Sequence, residues 1–166
     1  NLDKLDRGTF DVLIVGGGIN GAVSAAALSA RGASVALIDR GDFAGFTSQE
    51  SSNLVWGGIK YLENYEFPLV RKLCMSRNRL MRAYPANVKE IGFLGVLGET
   101  APFPPWVVGV GAFAYWGIGN FKTNAPRPMS PETIERIEPI VNTVGTVGGI
   151  EYADAYLKDN DARFVF

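Results

Sequence analysis

The sequence predicts an α/β protein: an incomplete doubly wound (Rossmann-type) domain joined to part of an antiparallel sheet. Three observations carry this. A short β-branched run from Phe10 to Val15 leads straight into Gly16-Gly17-Gly18. An Ala- and Ser-rich stretch, Ala22 to Ala30, follows and closes on Arg31-Gly32. A second β-branched run, Ser34 to Ile38, then ends on the acid Asp39. Strand, helix and strand in that order with short joints make a parallel pair.

Each element has a local cause. Phe10 to Val15 is too short for a helix and reads as a buried strand. Arg31 suits the negative C-terminal end of a helix, and Gly32 suits the left-handed residue after it. Arg40-Gly41-Asp42 has turn composition. Thr47-x-x-Glu50 fits a capping box, so a short helix is expected from about Ser48. Phe67 to Tyr84 places Leu69, Val70, Leu73, Cys74, Leu80 and Met81 among Arg71, Lys72, Arg77, Arg79 and Arg82. That is an amphipathic helix, with Pro68 in its first turn and Pro85 beyond its end. Its basic face is read as solvated; anionic lipid or the rest of a longer protein are the alternatives. Val88 to Leu97 reads as a strand of the second sheet.

Phe103 to Phe121 carries no charge over 19 residues. Pro104 and Pro105 at its start and four interrupting glycines favour a buried helix over a membrane span. A one-sided membrane-contact patch is the alternative. Lys122 to Pro139 reads as a Pro-rich connection into a short helix, with Ser130 as N-cap, Pro131 at its first position and Glu132 in the first turn. Gly145 to Tyr152 reads as a strand, and Asp159 to Phe166 as the start of a helix.

Composition bounds the function. The chain has 166 residues, 47% apolar and 20% charged, which excludes general disorder. Sixteen basic residues against seventeen acidic ones give net charge −1, so no global electrostatic case for nucleic acid exists. The single cysteine, Cys74, excludes an internal disulfide and a four-thiolate zinc site. The absence of histidine excludes, within this chain, Ser-His or Cys-His catalysis and His-ligated metals. The first residues lack both Met and an apolar leader, and the last stop inside an apolar run. The chain is therefore expected to be a piece of a longer protein. Too few parallel strands are present to complete a doubly wound sheet, so the piece alone is expected to fold poorly.

Twenty glycines in 166 residues exceed the usual share of roughly 7%. Gly16, Gly18 and Gly21 form G-x-G-x-x-G between strand and helix, which gives that excess a use. Gly16 lets the chain turn off the strand, Gly18 removes a side chain that would block a pyrophosphate, and Gly21 lets helix and strand pack closely. The helix N-terminus then offers free N–H groups and a positive dipole end to phosphates. Asp39, 23 residues after Gly16, is placed for a ribose 2′-hydroxyl and disfavours a 2′-phosphate. The unit points to a dinucleotide without separating FAD from NAD. The hydroxyls of Thr47, Ser48, Ser51 and Ser52 face either more phosphate and a flavin, or solvent. Gly57-Gly58 either admits a ring system or forms an ordinary turn.

Read together, Gly16 to Ala22, Asp42-Phe43-Ala44, Thr47-Ser48, Ser51-Ser52 and Gly57-Gly58-Ile59-Lys60-Tyr61-Leu62-Glu63 resemble the FAD-dependent glycerol-3-phosphate dehydrogenases. The resemblance continues at Tyr65-Glu66-Phe67, Leu69-Val70, Pro105-Trp106, Gly111-Ala112-Phe113, Tyr115, Gly149 to Tyr152, Asp154 and Asp161-Ala162-Arg163. It implies FAD in the N-terminal dinucleotide fold. It also implies oxidation of glycerol 3-phosphate to dihydroxyacetone phosphate by hydride transfer to the flavin, with electrons passed to quinone or oxygen. By position it puts Gly16, Gly18, Asn20, Gly21 and Asp39 with the ADP half, and Arg40 among the cofactor-binding residues. Thr47, Ser48, Ser52 and Leu54 fall along the pyrophosphate and flavin, and Lys60 at the substrate phosphate. A catalytic base is not assigned.

The expected organisation is residues 1–87 in the FAD-binding domain, 88–152 in a substrate-side region, and 153–166 returning to the first domain. The expected location is cytoplasmic, peripheral to the inner face of the membrane at most. This chain departs from the family's usual pattern at Trp56, Lys60 and Asn53, and mildly at Asp39, where Glu is commoner. Trp56 stands where the family carries a histidine, Lys60 where it carries an arginine, and Asn53 where it carries a lysine. Lys60 keeps the charge but cannot make a two-pronged phosphate fork. A related FAD oxidoreductase acting on another polyol phosphate, or on a hydroxy or amino acid, is the alternative. A non-catalytic or NAD-binding module that keeps the fold is the third reading.

Overall fold

The computed structural model describes residues 2–158, which form two compact units. One takes the chain up to Asn53 together with the residues from Leu157; the other is Leu54–Tyr156.

In the first unit, helix α1 (Leu2–Arg7) precedes strand β1 (Val12–Val15), helix α2 (Ile19–Ser29) and strand β2 (Val35–Ile38). The sequence reading did not anticipate α1. β1 and β2 pair in parallel, with Val12 opposite Val35 and Val15 opposite Ile38. Asp11 ties the start of the pair: its backbone N–H donates to Ser34 O at 2.9 Å, and its carboxylate accepts from Ser34 N–H at 2.8 Å. α2 starts three residues earlier than its Ala-rich composition suggests, because the last three residues of the glycine motif form its first turn. Its end is as expected. Arg31 Nη1 donates to Ala27 O at 3.1 Å, and Gly32 takes φ +89°. The helix expected near Ser48 does not form. The N–H groups of Gln49 and Glu50 both donate to Phe46 O at 2.9 Å, which closes one turn only. The Ser48 hydroxyl turns to the start of α2, accepting from Ile19 N–H at 3.1 Å.

The second unit opens with strand β3 (Leu54–Val55) and a 3₁₀ turn (Ile59–Asn64). Helix α3 (Phe67–Ala83), strand β4 (Val88–Gly98) and helix α4 (Pro105–Ile118) follow. Strand β5 (Arg127–Met129), helix α5 (Pro131–Ile137) and strand β6 (Thr146–Leu157) complete it. β6 lies between β3 and β4 and also pairs with β5; both β3 and β5 run antiparallel to it. β5 falls inside the stretch read as a Pro-rich connection. Ser130 caps α5 as its sequence predicts, accepting from Thr133 N–H at 3.3 Å.

α3 buries Val70, Cys74, Arg77 and Asn78, the i, i+4, i+7, i+8 stripe of an inward face. Arg77 is thus not on the solvated basic face, a correction whose cause is an acid on β6. α4 buries Gly109, Ala112 and Tyr115 but leaves Trp106 72% exposed, so it is buried on one side only. No helix among the described residues is long and apolar enough to cross a membrane. Val70, Cys74 and Tyr115 form a core against which Ile59, Tyr61, Leu62, Met75, Ile118 and Tyr152 pack. β6 runs five residues past the expected end at Tyr152. The helix expected from Asp159 to Phe166 lies outside the described residues.

Candidate functional site

The first unit builds a cradle from bare backbone. Gly16 turns off β1 at φ +111°, a conformation that side chains disfavour, and its N–H donates to Ile38 O at 2.8 Å. Gly18 is the N-cap of α2 and offers no side-chain bond. A Cβ at Gly21 would collide with the carbonyl oxygen of Gly16 and lie 3.4 Å from Ile14, so the close helix–strand approach requires glycine there. At Gly17, not singled out by its sequence, a Cβ would run into the Phe43 ring, an exposed side chain that would have to move.

Ser48 satisfies the amide of Ile19. The amides of Asn20 and Gly21, in the first turn of α2, have no partner among the described residues. Gly16, Gly18, Asn20 and Gly21 line one cavity of about 580 Å³ with Thr47 and Ser48. A smaller cavity of about 150 Å³ adjoins Gly18, Asp39, Phe46, Thr47 and Ser48.

Asp39 braces the turn. Its carboxylate accepts from Gly17 N–H at 2.6 Å and from Gly41 N–H at 2.9 Å. The Gly17 amide first, then that of Gly41, hold its carboxyl below the ordinary value. A carboxylate has about four acceptor positions, so capacity for ribose hydroxyls remains. Arg40 lays its guanidinium over the Phe46 ring, 4.6 Å from the centroid. Ser52 is exposed and lines neither cavity. The side-chain oxygen of Asn53 is buried without a hydrogen-bond partner among the described residues.

Leu54 belongs to the second unit, on β3 opposite Tyr156. There, Trp56, Lys60, Glu63, Tyr65, Phe103 and Tyr152 contribute to a mainly apolar cavity of about 490 Å³. Lys60 is exposed and makes no hydrogen bond or ion pair among the described residues. Trp56 packs at 46° to Tyr61, with centroids 5.7 Å apart. Behind this wall lies a buried charged network. Asp154 Oδ1 accepts from Arg77 Nη1 at 2.7 Å and from Gly57 N–H at 2.9 Å. Asp154 Oδ2 accepts from the Tyr115 hydroxyl at 2.8 Å. Asn78 Oδ1 takes two further guanidinium donors, both at 3.2 Å.

Burial alone works against the Arg77 charge, but the Asp154 carboxylate outweighs it and holds the guanidinium above its ordinary value. Burial, then the Asp154 carboxylate, push the Tyr115 phenol far up. Burial also raises the Cys74 thiol. The choice left open at Gly57-Gly58 is thereby answered in part. A Cβ at Gly57 would strike the Tyr115 hydroxyl and sit 2.9 Å from Cys74 Sγ, so this glycine admits the network. Sequence reading missed Arg77. The available signal was Asp154, a charge set in the apolar strand Tyr152-Ala153-Asp154-Ala155-Tyr156, which demands a buried partner.

Comparison with known proteins adds the family. The model of the FAD dependent oxidoreductase family matches residues 11–165. The chain belongs to that family. This FAD-dependent oxidoreductase chain is 43% identical to a glycerol-3-phosphate dehydrogenase of Pseudomonas aeruginosa, over 94% of its own length and 29% of that protein. It is 36% identical to the Pseudomonas tolaasii protein of the same name, over 94% of its length and 29% of the relative. It is 35% identical to a D-erythritol 1-phosphate dehydrogenase of Brucella abortus, over 95% and 30% respectively. The chain thus spans under a third of the length of these relatives. Its fold resembles that of the Bacillus halodurans glycerol-3-phosphate dehydrogenase complexed with FAD. That likeness has TM-score 0.64 at 19% identity, over 94% of this chain and 23% of the other. The expected α/β class, with a parallel pair and a separate antiparallel sheet, is borne out.

Proposed function

We propose that this chain carries the ADP-binding cradle and part of the substrate side of a flavoenzyme that oxidises sn-glycerol 3-phosphate to dihydroxyacetone phosphate. The observation that carries the cofactor half is the glycine cradle with two unpartnered helix amides, braced by an acid at the end of β2. A Cβ at Gly21 would disrupt it, and the free amides suit a pyrophosphate. The residues present therefore fit FAD. Gly16, Gly18, Asn20 and Gly21 would hold the diphosphate, with Thr47 and Ser48 beside it and Asp39 on the ribose. Arg40, Ser52 and Leu54 complete the set by resemblance. When bound, FAD supplies the hydride acceptor that no side chain of this chain can provide.

On the substrate side, Lys60 offers an uncommitted ammonium to the phosphate, as a point charge rather than a planar fork. Trp56 donates through its indole N–H and cannot take up a proton, so proton transfer falls to another group. Quinone or oxygen receives the electrons, and the protein works in the cytoplasm or against the inner face of the membrane.

A second reading is favoured by Trp56 and Lys60 and by the erythritol 1-phosphate relative: a longer polyol phosphate as substrate. The deciding measurement is an anaerobic titration of the full-length protein's visible spectrum. Bleaching of the flavin band by glycerol 3-phosphate supports the first reading. Bleaching only by erythritol 1-phosphate supports the second. A colourless protein that takes up no FAD removes both.

A further inference from the structure

We propose that Arg77, Asp154 and Tyr115 are positioning residues for Lys60, acting through a buried lock on the backbone of Gly57. This rests on the reading of Lys60 as the substrate-phosphate contact. Both peptide groups of Gly57 are engaged. Its N–H donates to Asp154 Oδ1 at 2.9 Å, and its carbonyl oxygen accepts from the Cys74 thiol at 3.6 Å. The next residue, Gly58, turns at φ +83° and leaves no room for a side chain, since a Cβ would lie 2.7 Å from Leu73 and 2.9 Å from Tyr61. The 3₁₀ turn then begins, with Lys60 as its second residue.

Lys60 has no side-chain partner of its own among the described residues. Its starting direction is therefore inherited from the backbone two and three positions earlier. The lock is drawn from three elements far apart in sequence: Arg77 on α3, Tyr115 on α4 and Asp154 on β6. Arg77 and Asp154 are at most 1% exposed. A buried ion pair is a weak source of net stability against an apolar replacement, so holding one arrangement is the better account of its presence here. A site that must hold its groups to within about 0.5 Å needs this kind of support behind the contacting residue.

The test uses the full-length flavoprotein and a double-mutant cycle between Tyr115→Phe and Lys60→Ala. Tyr115→Phe removes the hydroxyl and keeps the ring that packs edge-on to Tyr152. The readouts are KM and kcat for glycerol 3-phosphate, and the inhibition constant of inorganic phosphate as competitor. Tyr115→Phe is expected to raise KM and the phosphate constant together by roughly three- to tenfold, with kcat within about twofold. In the Lys60→Ala background the same change is expected to move either constant by less than about twofold.

An equal rise in both backgrounds overturns the lock and leaves the Lys60 reading standing. An unchanged KM in Lys60→Ala alone overturns the Lys60 reading, and the lock's role with it. Should Tyr115→Phe fail to accumulate as folded protein, Cys74→Ala carries the same cycle. It removes the donor on the other side of Gly57, and a smaller effect of the same dependence on Lys60 is expected.

Discussion

In the first unit the groups offered to a ligand are backbone amides and short side chains near the surface. In the second, an Arg77–Asp154 ion pair is sealed between α3, α4 and β6. The contrast extends to the apolar residues. α2 buries none of its residues, and Val15 on β1 is 77% exposed. β6, by contrast, buries Gly148, Gly149 and Ile150, then Ala153, Asp154 and Ala155. A phosphate cradle needs amides and room, which glycines provide from within one short stretch of chain. A buried carboxylate needs specific partners, and only distant segments can bring them. A pair of salt bridges among the described residues repeats the lesson. Arg77–Asp154 is enclosed, whereas Arg127–Glu151, at 2.6 Å, leaves its arginine side chain 68% exposed.

The largest effect expected from breaking this contrast is at Asp154. Asp154→Ala in the full-length protein leaves Arg77 buried and unpaired, and is expected to cost about 3–5 kcal/mol in urea denaturation. A loss below about 1 kcal/mol would mean that water reaches the guanidinium. Next is the cradle. Gly21→Val puts a branched side chain against the carbonyl of Gly16, and FAD affinity is expected to fall by about tenfold or more, ~1.4 kcal/mol per factor of ten. Flavin fluorescence during dialysis would show it, while the melting of a probe in the second unit should barely move.

Asp39 sharpens the comparison through pH. Its carboxyl is lowered in the fold, so its support for the turn is fully present above its ordinary value of 3.8. That support is lost as pH falls through the lower folded value. FAD retention should therefore owe nothing to Asp39 titration between about pH 5 and 8. A step in that window which Asp39→Asn abolishes would contradict the assignment. The smallest effects are at the surface. A double-mutant cycle on Arg127 and Glu151 should yield at most ~1 kcal/mol, and Ser130→Ala at the cap of α5 about 1 kcal/mol. Both are read from shifts in the denaturation midpoint.

How much was legible in the sequence follows the same division. The β1–α2–β2 unit could be read because each signal acts locally: β-branched runs, glycines where the chain turns, Arg31 and Gly32 at the helix end. Ser130-Pro131-Glu132 and Pro68 worked for the same reason. The Thr47–Glu50 capping box starts no helix, and the neighbouring Ser48 hydroxyl is taken by the amide of Ile19, 29 residues earlier. Arg77 escapes a sequence reading too: in a helix rich in Arg and Lys it looks like one more solvated charge. Its burial depends on Asp154, 77 residues away.

The residues by themselves determined the family and the β1–α2–β2 unit with its glycine turn, because these depend on turns, caps and periodicity that a few neighbouring residues set. Only the tertiary structure decided that Gly57 makes room for a buried Arg77–Asp154–Tyr115 cluster behind Lys60. Burying a charge is settled by what the rest of the fold places beside it, and no local pattern records that.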